Sequence, residues 1–163
     1  MDFEIRPTTE ADIPLILLFI KSLADYERLG HEVVATEESL KETLFGTHRY
    51  AEVIIGYLKN KPVSFALYFH NYSTFLGRPG IYLEDLFVEP ETRGLGIGKK
   101  MLAYLAQLAK KRGCGRLEWW VLDWNESAIA FYKKIGAKPM EEWTVFRVTD
   151  AALDQLADSW NDN

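Results

Sequence analysis

Residues 88–99 read Val-Glu-Pro-Glu-Thr-Arg-Gly-Leu-Gly-Ile-Gly-Lys, after an apolar stretch and before a helical pattern. Gly94, Gly96 and Gly98 let backbone N–H groups approach an anion with no Cβ in the way. A helix N-terminus adds unpaired N–H donors and a partial positive charge, which together suit a pyrophosphate. Arg93 and Lys99 bring full charges nearby. Two common phosphate loops do not fit. Lys99 is followed by Lys100, where a P-loop needs Ser or Thr, and Lys99 occupies the third-glycine position of the dinucleotide fingerprint. A third pattern, Arg/Gln-x-x-Gly-x-Gly/Ala, is filled by Arg93, Gly96 and Gly98.

Just upstream, Glu84 and Asp85 interrupt an otherwise apolar stretch from Ile81 to Val88. A charged residue in the middle of a central strand demands a reason, chemical or as the partner of an Arg. Strand side chains alternate, so Asp85 is expected on the sheet face opposite Glu84. Cys114 is the only cysteine, which excludes an internal disulfide and a thiolate metal site. His31, His48 and His70 lack metal-ligand spacing, and no metal is expected. The net charge of −5, with no basic run, argues against nucleic-acid binding. No signal-peptide pattern and no membrane-length apolar run is present, so a cytoplasmic address and no membrane association are expected.

The elements that must position these residues fit one domain, 1–163. Phe3–Arg6 alternates as a short strand ended by Pro7, and Ile13, Leu17, Ile20 and Leu23 repeat at helical spacing. A second helix is expected over Glu37–Phe45, stopped by Gly46. Tyr50–Leu58 and Val63–Tyr72 read as a hairpin about Lys59–Pro62, with Ile81–Val88 as a third long strand. A helix follows the glycine loop to about Arg112, with Met101, Leu102, Leu105, Leu108 and Ala109 on one side. Then come a strand at Arg116–Leu122, a helix capped by Asn125 and closed by Gly136, a last strand at Trp143–Val148 and a helix at Ala151–Trp160. The order is an antiparallel meander followed by strand–helix–strand–helix–strand, an α/β (α+β) arrangement.

The Arg93–Gly98 pattern between a Glu-Asp-bearing strand and a helix resembles the acetyl-CoA loop of the GNAT superfamily. A second segment about thirty residues downstream, Trp124-Asn125-Glu126-Ser127-Ala128 through Phe131-Tyr132-Lys133, is similar to the family's other CoA-lining segment. With Ile5-Arg6-Pro7, Tyr26-Glu27 and Tyr82-Leu83-Glu84-Asp85, the likeness covers nearly the whole chain and points to the diamine (spermidine/spermine) and thialysine N-acetyltransferases. It implies a GNAT fold: a mixed sheet of six to seven strands, with splayed parallel central strands and about four helices. It also implies a homodimer, and acetyl-CoA as co-substrate.

Carried over residue by residue, the resemblance puts acetyl-CoA against Arg93, Gly94, Leu95, Gly96, Ile97, Gly98 and Lys99, the backbone of Leu86, Phe87 and Val88, and Asn125, Ser127 and Ala128. Asn125 would serve equally as a plain helix cap. An alkyl amine near pH 7 is almost wholly protonated, with a pKa of about 10, so a base must take its proton. The resemblance gives that role to Glu84. It gives Tyr132 the task of meeting the departing thiolate. A phenol of pKa about 10 is a weaker acid than a thiol of about 8.5, so a strong hydrogen bond serves nearly as well as full transfer. A core tyrosine is the alternative.

Tyr26, Glu27, Glu84, Asp85, Glu142 and Trp143 match amine contacts, with solvated surface charge as the plain reading of Glu27 and Glu142. Ser73 and Phe75 stand where spermine-type relatives carry an acid and a Trp, which favours a short diamine or thialysine-like amine. A protein amine, an antibiotic amine and a non-catalytic acyl-CoA-binding module are the competing readings.

Overall fold

The computed structural model describes residues 1–161. They form two compact units, one from Met1 to Leu122 and one from Asp123 on.

The first unit is built on a five-stranded sheet in the order β1 (Phe3–Pro7), β2 (Glu52–Leu58), β3 (Lys61–Ser73), β4 (Arg78–Val88), β5 (Leu117–Trp119). All neighbours are antiparallel except β4 and β5, which run parallel. Lys59 and Asn60 both adopt positive φ in the β2–β3 turn, as a two-residue hairpin with right-handed strand twist requires. Helices α1 (Ile13–Tyr26) and α2 (Glu37–Phe45) precede β2, and α3 (Ile97–Lys111) joins β4 to β5.

Alternation along the strands sorts the core onto two faces. On one, Ile13, Ile16, Phe19 and Leu23 of α1 and Leu40 and Leu44 of α2 are buried with Val53, Ile55, Phe65 and Phe87. Phe19 stacks on Phe65 with ring centroids 5.3 Å apart and meets Phe87 at 6.3 Å. On the other face α3 packs on β3 and β4, burying Ile97, Met101, Leu102 and Leu105.

In the second unit α4 (Glu126–Lys134) and α5 (Asp150–Asp158) are helical. The described residues thus hold five strands and five α-helices, in place of the six to seven strands and four helices expected. Residues 143–148 form no strand. Trp143, Val145, Phe146 and Val148 are all exposed. A strand needs a ladder partner, and none pairs with this segment among the described residues. The strand expected over 116–122 contracts to three residues, because pairing with β4 stops at Leu83↔Trp119 while β4 runs on to Val88.

Candidate active site

Strand β4 does not alternate cleanly. Leu83 pairs with Tyr68 and Asp85 with Leu67, so Glu84 is an extra residue with no counterpart on β3. This is a β-bulge, and it reverses the facing of everything beyond it. Before the bulge, Ile81 and Leu83 share the face of Tyr68 and His70; after it, Asp85 and Phe87 share the face of Leu67 and Phe65. Tyr82 and Glu84, by alternation from Leu83, lie on the Phe65 face as well. Glu84 and Asp85 therefore both face the α1 side. The expectation that they point to opposite faces is corrected by the one added residue.

Helix α1 ends beside them. Glu27, its C-cap, is half-buried, and burial followed by the charge of Glu84 raises its pKa. Asp85 is pushed up to about 7, first by burial, then by Glu84 and Glu27. Three carboxylates thus gather on one side of the sheet, with no cation among the groups that shift Glu27 or Asp85. Such a cluster attracts an ammonium, and a carboxyl group titrating near neutrality exchanges protons readily there. A row of aromatic rings continues along this face: Phe69 lies 5.1 Å from Tyr82, and Tyr82 meets Trp120 edge-to-face at 5.7 Å.

The glycine turn sits at the end of β4. Gly94 and Gly96 have φ of 83° and 80°, which explains their glycines conformationally. Gly98 is different. It is helical, and an added Cβ would make only an ordinary contact, 3.8 Å from Val88 Cγ2. Internal packing does not require glycine there. The first bond of α3 runs from the Lys100 amide to the Gly96 carbonyl at 3.1 Å, so the amides just before Lys100 are the orphan donors of the helix N-terminus. Lys99 is exposed. Arg93 donates from Nε to the Val88 carbonyl at 2.9 Å and lies over the rings of Tyr26, at 4.5 Å, and Phe87, at 5.4 Å. It pins the turn to the end of β4 and the end of α1. Beyond Leu83, residues 84–88, including Leu86, Phe87 and Val88, pair with β3 only, and β5 does not follow them. Leu95 is exposed at the turn, and Ile97 is buried as the first helical residue.

In the second unit Asn125 caps α4, accepting from the Ala128 amide at 3.4 Å, and the Ser127 hydroxyl donates to the same Asn125 oxygen at 3.4 Å. The cap is thus observed. Tyr132 lies on α4 with its ring 5.7 Å from that of Phe131. Glu142 and Trp143 are exposed in a turn in which the Trp143 amide donates to the Met140 carbonyl at 3.2 Å. Ser73 is buried and accepts from the Leu76 amide at 3.2 Å, so it holds the β3–β4 turn together.

Residues 20–137 match the model of the Acetyltransferase (GNAT) family. The chain belongs to this family. The match extends across the boundary between the two units. A thialysine N-epsilon-acetyltransferase of Bos taurus is 38% identical over 94% of this chain and 96% of its own length. An L-ornithine N5-acetyltransferase of Arabidopsis thaliana is 32% identical over 93% and 86%. Among solved structures, an integron cassette protein from V. cholerae superposes with a TM-score of 0.81 at 30% identity, covering 98% of this chain and 99% of that one. GNAT membership accords with a mixed sheet whose parallel pair joins β4 to β5.

Sequence reasoning passed over Asn71, Arg116 and Glu118, which form a polar group on the same face as Tyr82. Their signal was the alternation of Arg116 and Glu118 with apolar residues at an edge strand.

Proposed function

We propose that this protein is an acetyl-CoA-dependent N-acetyltransferase for a small aliphatic di- or polyamine or a thialysine-like amine, working by direct attack. The observation that carries the reading is that one strand, β4, holds both parts of the chemistry. Its bulge presents carboxylates that draw in an ammonium, and its end leads into a glycine turn that includes a helical glycine the fold itself does not need. The names of the thialysine and ornithine relatives support the substrate class.

In this reading acetyl-CoA supplies an activated acetyl group as a thioester. Amides at the N-terminus of α3, with Lys99, hold its pyrophosphate. Arg93 fixes the turn through the Val88 carbonyl. The outer backbone edge of Leu86, Phe87 and Val88 receives the pantetheine arm in the manner of an added strand, with Asn125, Ser127 and Ala128 as further contacts. Tyr26, Glu27 and Asp85 hold the ammonium of the amine, with Glu142 and Trp143 as outer contacts carried over from the relatives. Glu84 takes the proton as the amine nitrogen attacks, directly or through one water. Tyr132 donates a hydrogen bond to the departing sulfur. The scheme uses no metal and treats 1–163 as one working domain. A homodimer, implied by the sequence resemblance, completes the proposal, with the cytoplasm as its place because a single cysteine suits a reducing compartment.

Titration calorimetry with coenzyme A tests the foundation. The protein is expected to bind, and Gly98→Ala to weaken binding about tenfold or more, close to 1.4 kcal/mol. The same change should leave the melting temperature equal or higher, because Ala is the better helix former. No binding by the unaltered protein, even at millimolar coenzyme, would overturn the proposal.

A further inference from the structure

The row of rings on the α1 face ends in a residue that neither the fold nor the scheme above employs. Phe69 and Tyr82 are paired across β3 and β4, with rings 5.1 Å apart. Trp119 pairs with Leu83 at the end of β5, so Trp120 and Glu84 are the next residues along their two strands. The Trp120 ring meets Tyr82 edge-to-face at 5.7 Å. Tyr82 and Glu84 share one face, and this contact brings Trp120 onto the same face.

Trp120 does little for packing. It is 59% exposed, whereas Phe69 and Tyr82 are half-buried. A tryptophan can bury about 150–250 Å² of surface, and most of that capacity is unused here. Among the described residues Tyr82 is its one ring partner, and it makes no hydrogen bond. A lone exposed apolar side chain is ordinary on a protein surface. What sets Trp120 apart is its company, the carboxylates of Glu84, Asp85 and Glu27 on the α1 side. Arg116 and Glu118, also near Tyr82, are joined at 2.7 Å as a mutual ion pair and bring no net charge to the rings.

We infer that Trp120 is the aromatic wall of the acceptor site, on which the reacting ammonium rests while Glu84 faces it. This rests on the reading of Glu84 as the group that receives the proton of that amine. The reach fits. Two residues along a strand span about 6.6 Å and neighbouring strands lie about 4.8 Å apart, so a nitrogen bonded to Glu84 comes within the roughly 6 Å over which a ring attracts a cation. The carbon chain of the acceptor then runs over Tyr82 and Phe69, away from the glycine turn. The ring meets the nitrogen while it is charged, in the bound ground state. Its contribution therefore falls on KM and not on kcat.

The test is a thiol-release assay on the full chain with acetyl-CoA, using 1,5-diaminopentane and L-lysine as acceptors. Trp120→Ala should raise the KM of each amine turned over by about tenfold and leave kcat equal or higher. Trp120→Phe keeps a π face and should stay within about threefold of the unaltered KM. Trp120→Leu keeps apolar bulk without that face and should resemble Trp120→Ala. Because the ring is largely exposed, all three variants should keep the melting temperature of the unaltered protein. An amine KM unchanged in Trp120→Ala overturns the inference, and so does a Trp120→Leu protein that matches Trp120→Phe. A parallel rise in the KM for acetyl-CoA would assign Trp120 to the coenzyme and overturn it too. No turnover of either amine by the unaltered protein, with coenzyme binding intact, overturns the small-amine reading itself and this inference with it.

Discussion

The sheet carries one cluster of ionisable groups on its α3 face and another at the β4 bulge on its α1 face, and these two are organised in opposite ways. On the α3 face Glu52 receives both arms of the Arg112 guanidinium, at 2.6 and 2.9 Å, and His70 Nε2 lies 3.4 Å from the same guanidinium. The hydrogen bond from Arg112 holds the Glu52 pKa down, and burial, with the nearby Glu52 charge, pushes Tyr68 up to about 12. Every charge there has an opposite, and the result fastens the C-cap of α3 to strands β2 and β3. On the α1 face Glu27 and Asp85 are both raised, by burial and by neighbouring carboxylates. A fold that needs only stability pairs its charges. Like charges held together at a strand bulge await a cation from outside.

The largest way to break this comparison is to neutralise one acid on each face. Glu84→Gln removes the proposed proton acceptor and should lower kcat by about two orders of magnitude or more, with a smaller change in coenzyme affinity. Glu52→Gln, on the opposite face, should leave kcat within about twofold and cost stability instead. Steady-state kinetics with coenzyme titrations on both variants decide it. Equal losses of kcat in the two would erase the distinction between the faces.

Stability against pH sharpens the contrast next. Asp85 binds its proton more tightly in the folded chain, about 7 against an ordinary 3.8, so it contributes stability below about pH 4 that is lost as pH rises towards 7. Asp85→Asn removes that loss. It should raise stability at pH 8 by up to about 4 kcal/mol, from about 1.4 kcal/mol per pKa unit, and change little at pH 4. Urea unfolding at both pH values measures the difference. A variant destabilised alike at both would mean that Asp85 is held as a satisfied structural carboxylate.

The difference between the faces was half visible in the sequence. The glycine turn was legible because its logic is local: positive φ at Gly94 and Gly96 and the start of α3 are properties of neighbouring residues. Glu84 was legible as a charge among apolar residues. The facing of Asp85 was not, because a bulge depends on how many residues the partner strand supplies, and nothing in residues 81–88 records that β3 offers one fewer. The same limit hid Asn71, Arg116 and Glu118, which come together only through two strand pairings. Strand composition also misled at 143–148, where aromatic and β-branched residues were present and a partner was not. Ser73 was legible as the place of an acid in spermine-type relatives, while its hydrogen bond across the β3–β4 turn was not.

The α3 face makes the smallest and opposite prediction. Glu52 has a lowered pKa, so its contribution is present above the unfolded value of about 4.5 and is lost as pH falls through the folded one. Arg112 and Glu52 side chains are 33% and 43% exposed, so solvent screens the pair and its worth is about 1 kcal/mol. Arg112→Met keeps the aliphatic stem and removes the charge. It should cost about that much at pH 7 and progressively less as falling pH protonates Glu52 in the folded chain and leaves no ion pair to lose. The acid limb of the stability curve should accordingly become shallower, while the loss between pH 4 and 7 set by Asp85 persists. If Arg112→Met instead altered the limb between pH 4 and 7, the two clusters would be coupled through the sheet, and the independence of its faces would fail.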